Sequence, residues 1–339
     1  MRTKIVYVVT SDKTDVYLEQ ALLSVFSLRK HNPNACVELV VDQDTDTTIT
    51  GKRGEILKYI DKKVVVNVPE KYNKVCRSRW LKTSLRQHVK GDFLYIDADT
   101  IITDDLSEID SFPFSLGAVI NAHVPICLRK NTFYMRKIKN NALEEGWKCT
   151  DATPFFNGGV LFVKDTAESY DFFSSWHKTW NDFYKRYGRH ADQAPLAATN
   201  EQFNYMIKEM SGTWNCQVAC NGISYLAKAK IMHYLMYERP PHPWIFYNHD
   251  ILNEVKELGY ISDKISKLVD EAKSSFDVPN MIISGEDMEY MEYLKYKKFL
   301  QTPLFSICKA DRSIFSLFNN TAKLTQKAIV LKHRIQGLL

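Results

Sequence analysis

The stretch FLYIDADTII, residues 93–102, decides the fold. Four apolar or aromatic residues run directly into Asp97 and Asp99, a pattern that predicts a buried strand ending in two carboxylates. Side chains two positions apart on a strand point the same way, so the two carboxylates converge if the strand geometry persists. Two like charges so close require either open solvent or a positively charged partner such as a cation.

Strands and helices alternate on the N-terminal side of this stretch. Apolar, β-branched runs predict buried strands, and the i, i+3, i+4, i+7 spacing of apolar residues from Leu18 predicts a helix after the first of them. The predicted strands are 4–10, 35–42, 62–69 and 92–97, and the further helices are 54–60 and 78–89. This alternation predicts an α/β fold, a mostly parallel central sheet flanked by helices on both faces.

The pattern is looser after Asp99. Strands are predicted at 115–124, 155–164 and 228–235, and helices at 165–187 and 192–210. The segment 124–154 shows no clear periodicity, and a stretch of that length is usually functional or contains elements that periodicity does not reveal. From about residue 250 the chain is mainly helical, which predicts a first domain over 1–250 and a helical C-terminal extension over 251–339.

The composition is that of an ordinary globular protein. Hydrophobic residues make up 45% and charged residues 25%, and the net charge of +5 is too small to indicate a nucleic-acid partner. The N-terminal apolar run is too short for a signal peptide, and no run of 18 apolar residues predicts a membrane-spanning helix. Seven scattered cysteines without a CxxC motif are typical of a reducing, cytoplasmic compartment, and Cys216 and Cys220 are interpreted as structural.

Asp97 and Asp99 lie where a ligand is expected. In open parallel α/β sheets, ligands bind outside the carboxyl ends of the strands. Two convergent carboxylates provide hard oxygen ligands for Mg²⁺ or Mn²⁺. The alternative is a solvated turn with local hydrogen bonds, since turns are rich in aspartate. The pair by itself leaves both interpretations open.

Six motifs in order along the chain resemble glycosyltransferase family 8. This is the retaining, nucleotide-sugar-dependent group that includes bacterial lipooligosaccharide galactosyltransferases and glycogenins. The resemblance covers roughly residues 4–245 and is carried by VVTSD, RSRW, FLYIDADTII, FFNGGVLFV, ADQ and MHYL with PPHPW. It implies the GT-A fold and a divalent metal. It also implies transfer of a hexose from a UDP-sugar to a hydroxyl of a glycan acceptor, with retention of the anomeric configuration.

The resemblance also implies a metal site. Asp97 and Asp99 match the DxD motif of the family, which holds the metal together with the ribose and diphosphate of the donor. His233 in IMHYL matches the histidine that completes the site, and imidazole suits Mn²⁺. Considered alone, His233 is equally explained as a strand histidine whose ring bonds a backbone carbonyl.

The nucleotide side of the site is assigned by the same resemblance. Asp12 matches the acidic residue that reads the uracil, with Asp15 as a competing assignment. Arg79 matches a basic residue that contacts the diphosphate. Arg77 and Lys82, on the same predicted helix, are interpreted as part of a solvated face.

The sugar side of the site is assigned in the same way. Asn157 matches a residue that lines the sugar and acceptor site. Gly158, assigned to donor binding, and Gly159 either permit close approach of the backbone or mark a bulge. In HADQAP, Asp192 is expected to hold sugar hydroxyls and Gln193 to lie beneath the anomeric carbon. Gln202 in NEQF is a rival for that position.

The last motif departs from the family pattern. A glycine and a lysine usually stand ahead of Pro-Trp, whereas here His242 precedes Pro243 and the glycine is missing. Closure of this loop over the diphosphate is therefore in question, and His242 or Arg239 could supply the charge of the lysine.

Two other functions compete with the transferase. A haloacid-dehalogenase-like phosphatase would use a DxDx[TV] nucleophile motif, but Ile101 stands at its last position. A catalytically inactive nucleotide-sugar-binding protein would keep the donor site without turnover, and the intact DxD with His233 counts against it.

The C-terminal residues 301–339 combine apolar and basic side chains. This pattern predicts either peripheral attachment to the inner face of the membrane, where lipid-linked acceptors are found, or an amphipathic helix packed on the core. The basic residues are Lys309, Arg312, Lys323, Lys327, Lys332 and Arg334.

Overall fold

The computed structural model describes residues 1–235 and 249–275, followed by 313–314, 316–317, 320–325 and 328. Met1–Met281 form one compact unit and Ile282–Leu339 a second. The described residues of the second unit are helical and include the exposed Leu317 and Leu324. Most of the predicted membrane-associating tail, and the whole stretch from Glu238 to Trp244, lies outside the described residues.

Two sheets organise the first unit. The strands of the described residues are β1 (Lys4–Val9), β2 (Val37–Asp42), β3 (Lys62–Val66), β4 (Phe93–Ile96), β5 (Thr100–Ile102), β6 (Leu116–Ile120), β7 (Phe156–Val163), β8 (Lys208–Glu209), β9 (Cys216–Gln217) and β10 (Ile231–His233). Seven of them form a central sheet in the order β3-β2-β1-β4-β7-β6-β8, and β5-β10-β9 form a small second sheet. Only β7 runs antiparallel to its neighbours in the central sheet. The predicted mostly parallel sheet is therefore confirmed.

Helices cover both faces of the central sheet. Those of the described residues are α1 (Tyr17–His31), α2 (Gln43–Thr48), α3 (Lys74–Thr83), α4 (Leu85–His88), α5 (Ile126–Arg129), α6 (Phe133–Glu145), α7 (Ala167–Tyr187), α8 (Gln193–Gln202), α9 (His249–Leu258) and α10 (Asp263–Asp270). Short 3-10 helices occupy Gly51–Lys58, Ser107–Ser111, Asn121–His123, Gly212–Asn215, Gly222–Lys228 and Ala272–Ser275.

The strand β1 is apolar from Ile5 to Val9, and these residues are buried on both faces of the sheet. Ile5, Tyr7 and Val9 lie in a core that α1 covers, whereas Val6 and Val8 lie in a second core with α3 and α7 on the opposite face. A strand buried on both faces needs apolar side chains at every position, and each contributes about 1.5–3 kcal/mol when fully buried. β1 therefore lies between two cores, one on each face of the central sheet.

The predicted helix 192–210 is too long. The helix α8 ends at Gln202, and Asn204 and Tyr205 then adopt positive φ values of 49° and 57°. Such left-handed residues cannot continue a right-handed helix. The side chain of Asn200 accepts a hydrogen bond from Ile207 N at 2.9 Å and directs the chain into β8.

The predicted strand 115–124 ends at Ile120, and the predicted helix 54–60 is a 3-10 helix over Gly51–Lys58. The helix 78–89 and the unassigned segment 124–154 also differ from the prediction. The helix 78–89 is divided into α3 and α4 at Ser84, whose hydroxyl bonds the carbonyl of Trp80 at 2.8 Å. The unassigned segment 124–154 contains α5 and α6. The helix α6 begins after Thr132, whose side chain accepts a hydrogen bond from Met135 N, and it ends at Gly146, which has the left-handed conformation. Both are common capping arrangements.

The helices α9 and α10 pack on α1. Leu252 and Val255 of α9 are buried in the same core as α1. Lys256 donates to the carbonyl of Asp15 at 2.7 Å, and Lys30 lies 2.6 Å from the carboxylate of Asp270. No helix within the described part of the chain has the length and apolar character needed to cross a membrane.

Candidate active site

Asp97 and Asp99 lie in a turn, not on a continuing strand. β4 ends at Ile96 and β5 begins at Thr100, so the convergence expected from strand alternation arises differently. Asp97 N donates to Gly159 O at 2.8 Å, and Thr100 Oγ1 donates to Asp97 O at 2.8 Å. These bonds fasten the turn to β7 and β5.

The turn brings both carboxylates to His233. The Nε2 atom of His233 lies 3.2 Å from Asp99 Oδ1 and 3.9 Å from Asp97 Oδ2. Pairing of β10 with β5 places His233 opposite Thr100, and the imidazole is only 1% exposed. The ligand atoms lie within 4.8 Å of one another, the one such group found among the described residues. Two carboxylate oxygens with one imidazole nitrogen fit a divalent ion such as Mn²⁺.

Two neighbours orient Asp97. The hydroxyl of Tyr95 donates to Asp97 Oδ1, and Lys82 Nζ lies 3.5 Å from the same oxygen. Burial, with the neighbouring charge of Asp97, raises the pKa of Tyr95 well above its usual value. Tyr95 therefore stays protonated as a donor, and the other oxygen of Asp97 is left facing His233.

A buried ion pair adjoins the carboxylate pair. Lys82 Nζ lies 2.9 Å from Asp192 Oδ2, and Arg79 Nε lies 3.5 Å from Asp192 Oδ1. Burial opposes ionisation of Asp192, but the charges of Lys82 and Arg79 prevail and hold its pKa at about 2. Asp192 occupies the N-cap of α8 without making a capping bond. Its carboxylate is directed into the site instead.

An open cleft begins at the two aspartates. It has a volume of about 220 Å³ and lies at the carboxyl ends of β1 and β4, where the order of strands in the sheet reverses. Ligands of open α/β sheets bind at such a point. Its polar lining comes from Thr10, Tyr17, Gln20, Lys74, Ser78, Arg79, Asp97 and Asp99.

The two candidate uracil-binding aspartates share one lysine. Lys74 Nζ lies 2.6 Å from Asp12 Oδ2 and 2.6 Å from Asp15 Oδ2. Asp15 is the more enclosed, and it also accepts from Ser11 Oγ at 2.5 Å. The side chain of Asp12 is 47% exposed, and hydrogen bonds from Lys74 and Thr14 lower the pKa of its carboxyl. Asp15 therefore supports the loop, and Asp12 is the one open to a ligand.

The two candidate glutamines lie at opposite ends of α8. Gln193 Nε2 donates to Asn121 Oδ1 at 3.1 Å, and Asn157 Nδ2 reaches the same oxygen at 3.3 Å. Gln202 accepts from Ser175 Oγ at 3.2 Å. The structure thus connects Gln193 with the strand that carries Asn157.

Similarity to known proteins is confined to structure. No family model and no curated protein sequence matches the chain. A crystal structure of the galactosyltransferase LgtC with donor and acceptor sugar analogues matches with a TM-score of 0.51 and 14% identity. The match covers 78% of this chain and 99% of that one. A Gln-to-Glu active-site variant of LgtC matches with a TM-score of 0.51 and 16% identity, over 80% of this chain and 100% of that one.

The protein has the fold of a GT-A glycosyltransferase. At this level of identity the match establishes the fold alone. The chemistry of the site must be inferred from the residues of this chain. The predicted GT-A architecture is confirmed.

The structure brings some of the predicted site residues together and places one further residue, Lys82, beside them. Asp97, Asp99 and His233 meet in one cluster, as described above. Lys82 is 3% exposed, so its interpretation as part of a solvated face was wrong. Its spacing of three from Arg79 could have revealed it, because residues i and i+3 share a helix face.

Arg77, in contrast, has a structural role. Its Nε lies 2.7 Å from Asp42 Oδ2 and its Nη1 2.6 Å from Asp44 Oδ2, on the β2 side of α3. Its side chain is 18% exposed, so it too is held in ion pairs and is not freely solvated.

Two consecutive glycines of β7 leave room for the side chains of the candidate site. A Cβ added to Gly159 would overlap the imidazole of His233 and lie 2.8 Å from Asp97 Oδ2. A Cβ added to Gly158 would lie 3.2 Å from Asp192 Oδ2 and 3.3 Å from Lys82 Nζ. The absence of a side chain at Gly158 leaves room for the ion pair of Lys82 and Asp192, and its absence at Gly159 leaves room for His233 and Asp97.

These distances predict unequal effects of alanine at the two positions. Gly159→Ala should lower Mn²⁺ affinity by at least about 10-fold, because the methyl group displaces His233 or Asp97 from their ligand geometry. Gly158→Ala should have a smaller effect, since the neighbouring atoms need to move by only a few tenths of an ångström. Calorimetric titration of Mn²⁺ into both variants, with thermal unfolding as the fold control, checks this. Equal affinities would contradict it.

Proposed function

We propose that this protein is a metal-dependent retaining glycosyltransferase. It moves a hexose from a UDP-sugar to a hydroxyl of a glycan acceptor such as lipopolysaccharide, capsule or a similar surface glycan, lipid-linked acceptors included. The observation that carries the proposal is the cluster of Asp97, Asp99 and His233 beside a cleft at the switch point of a GT-A sheet.

In this proposal, the cluster and the cleft bind different parts of the donor. Asp97, Asp99 and His233 would hold the divalent ion, Mn²⁺ or Mg²⁺. When bound, such an ion neutralises charge on the leaving diphosphate. Arg79 lines the same cleft and adds a fixed positive charge beside the phosphates. Asp12, at the open end near Lys74, accepts hydrogen bonds from the uracil.

The sugar lies toward α8 and β7. Asp192 stays ionised through Lys82, and its remaining lone pairs accept bonds from sugar hydroxyls. Asn157 and Gly158 border this side. Gln193 presents its amide beneath the anomeric carbon, where an oxygen dipole stabilises an oxocarbenium-like state.

The reaction needs no strong protein nucleophile. An amide such as that of Gln193 is weakly nucleophilic, so the acceptor hydroxyl attacks from the face that the phosphate leaves. Its proton passes to the departing phosphate oxygen. The bond to the acceptor forms where the bond to UDP breaks, which retains the anomeric configuration.

A panel of UDP-hexoses tests the proposal. With Mn²⁺ and an acceptor mixture, UDP release is expected from one or a few donors, and EDTA should abolish it. Proton NMR of early product should show the small anomeric coupling of an α linkage. Release of inorganic phosphate in place of UDP would indicate the phosphatase, and saturable binding without turnover would indicate an inactive protein. A β-linked product would contradict retention.

A further inference from the structure

A line of buried side-chain amides leads from β7 to His233. Asn157 on β7 and Asn215, just ahead of β9, are buried, as is His233 on β10. Asn215 Nδ2 lies 3.0 Å from Asn157 Oδ1, and Asn215 Oδ1 lies 2.8 Å from His233 Nδ1. Burial shields these bonds from competition with water.

One backbone group fixes the direction of every bond in this line. Gly159 N, which can only donate, lies 2.8 Å from Asn157 Oδ1, so that atom must be the amide oxygen. The Asn215 atom that faces it is then the amide nitrogen. This turns the Asn215 oxygen toward His233, and because an amide oxygen only accepts, His233 Nδ1 carries a proton.

The opposite edge of the ring faces the carboxylates. In a neutral imidazole with its proton on Nδ1, Nε2 has a free lone pair. We propose that Asn157 and Asn215 are positioning residues that hold His233 in this tautomer and so present Nε2 to a divalent cation bound by Asp97 and Asp99. The inference rests on the metal site of the proposed function. Metal-binding histidines commonly donate their second N–H to an oxygen acceptor, a role that the neutral amide of Asn215 performs here.

We call the hydrogen bonds from Asn157 through Asn215 to His233 the relay. The relay disfavours the other neutral tautomer of His233. Asp99 Oδ1, at 3.2 Å from Nε2, would accept a hydrogen bond from Nε2–H if the ring adopted the other neutral tautomer. That tautomer has no lone pair on Nε2, the nitrogen that faces the two carboxylates. Without the oxygen of Asn215, the neutral ring should therefore switch to Nε2–H and donate to Asp99.

Nitrogen NMR of the metal-free protein tests the relay directly. In protein labelled with ¹⁵N-histidine, with His233→Gln used to assign the signals, the ring nitrogens distinguish both tautomers and the imidazolium. At a pH where the ring is neutral, the wild-type protein should show Nδ1–H. Asn215→Ala should show Nε2–H, and Asn215→Asp, which restores an oxygen acceptor, should return the ring to Nδ1–H.

Metal affinity provides the second measurement. Calorimetric titration of Mn²⁺ should show a loss of about 10- to 100-fold in Asn215→Ala, with recovery in Asn215→Asp. The matched control is Asn181→Ala. Asn181 accepts from Tyr72 OH at 2.8 Å, away from the carboxylate pair, and its removal should leave both readouts unchanged.

The outcomes separate this inference from the proposed function. An Nε2–H tautomer in the neutral wild-type ring overturns the relay even if Mn²⁺ binds and sugar is transferred. Failure of the wild-type protein to bind Mn²⁺ overturns the metal site. A tautomer switch in Asn215→Ala would support the hydrogen-bond relay in either case.

Discussion

Replacing Lys82 by methionine is expected to lower the free energy of unfolding at pH 7 by about 3 kcal/mol, since removal of one partner leaves a buried charge uncompensated. The charge is that of Asp192, whose side chain is 9% exposed and whose nearest cation is Lys82 at 2.9 Å. Arg79, at 3.5 Å, compensates only in part. Methionine keeps the length and the apolar stem of lysine, so the loss is mainly one of charge.

The pH dependence of this loss has a definite sign. The pKa of Asp192 falls from 3.8 in the unfolded chain to about 2 in the folded protein, a difference of about 2 kcal/mol. A depressed pKa stabilises the fold above the unfolded value, and the stabilisation is lost as the pH falls through about 2. Without Lys82, burial favours the neutral acid. The gap between wild type and Lys82→Met should therefore narrow as the pH falls toward 3.

Urea unfolding at several pH values measures that gap. The matched control is Lys58→Met, which removes a lysine that is 68% exposed and paired with Glu55 at 2.5 Å. Exposed pairs contribute little, so this variant should lose about 0.5 kcal/mol or less at every pH. Equal losses in the two variants, or a gap at position 82 that does not change with pH, would show that Lys82 does not neutralise Asp192.

The parts of the fold that follow from the sequence are those with strong local periodicity. Strands β1, β2 and β4 and the helix α1 are long apolar or amphipathic runs, and the prediction located them within a few residues. Two-residue strands such as β8 and β9 have no periodicity to detect. β8 is defined by its pairing with β6, and β9 by its pairing with β10. These contacts join distant parts of the chain, so a local sequence pattern does not reveal them.

The residues of the candidate site also differ in how far the sequence predicts them. A resemblance of ordered motifs identified Asp97, Asp99 and His233, although nothing in the local pattern of IMHYL indicates a ligand. The prediction for Lys82 was wrong because a lysine on a helix is normally solvated. Asn215 was not predicted at all, because its hydrogen bonds to Asn157 and His233 depend on β7 and β10 lying on either side of it.

Asp97→Asn and Asp99→Asn are expected to lower turnover by about three orders of magnitude while the fold survives. Asparagine keeps the shape of each side chain but removes one of the two charges that would bind the ion. A bound ion supplies several kcal/mol of stabilisation to the leaving diphosphate, and about 4 kcal/mol corresponds to a thousandfold change in rate. The matched control is Asp104→Asn, an exposed carboxylate just beyond β5, which should retain full turnover.

Thermal unfolding distinguishes this loss from simple damage to the fold. In the metal-free protein the two carboxylates repel each other, so Asp99→Asn should unfold at the same temperature as wild type or a higher one. Mn²⁺ with UDP should stabilise the wild-type protein, because ligands that bind only the folded state raise its stability, and should stabilise Asp99→Asn much less. Stability and activity then change in opposite directions, which is the behaviour of residues held together for a ligand. Full turnover in EDTA, or an equal thermal shift in both proteins, would instead show that Asp97 and Asp99 form only a solvated turn.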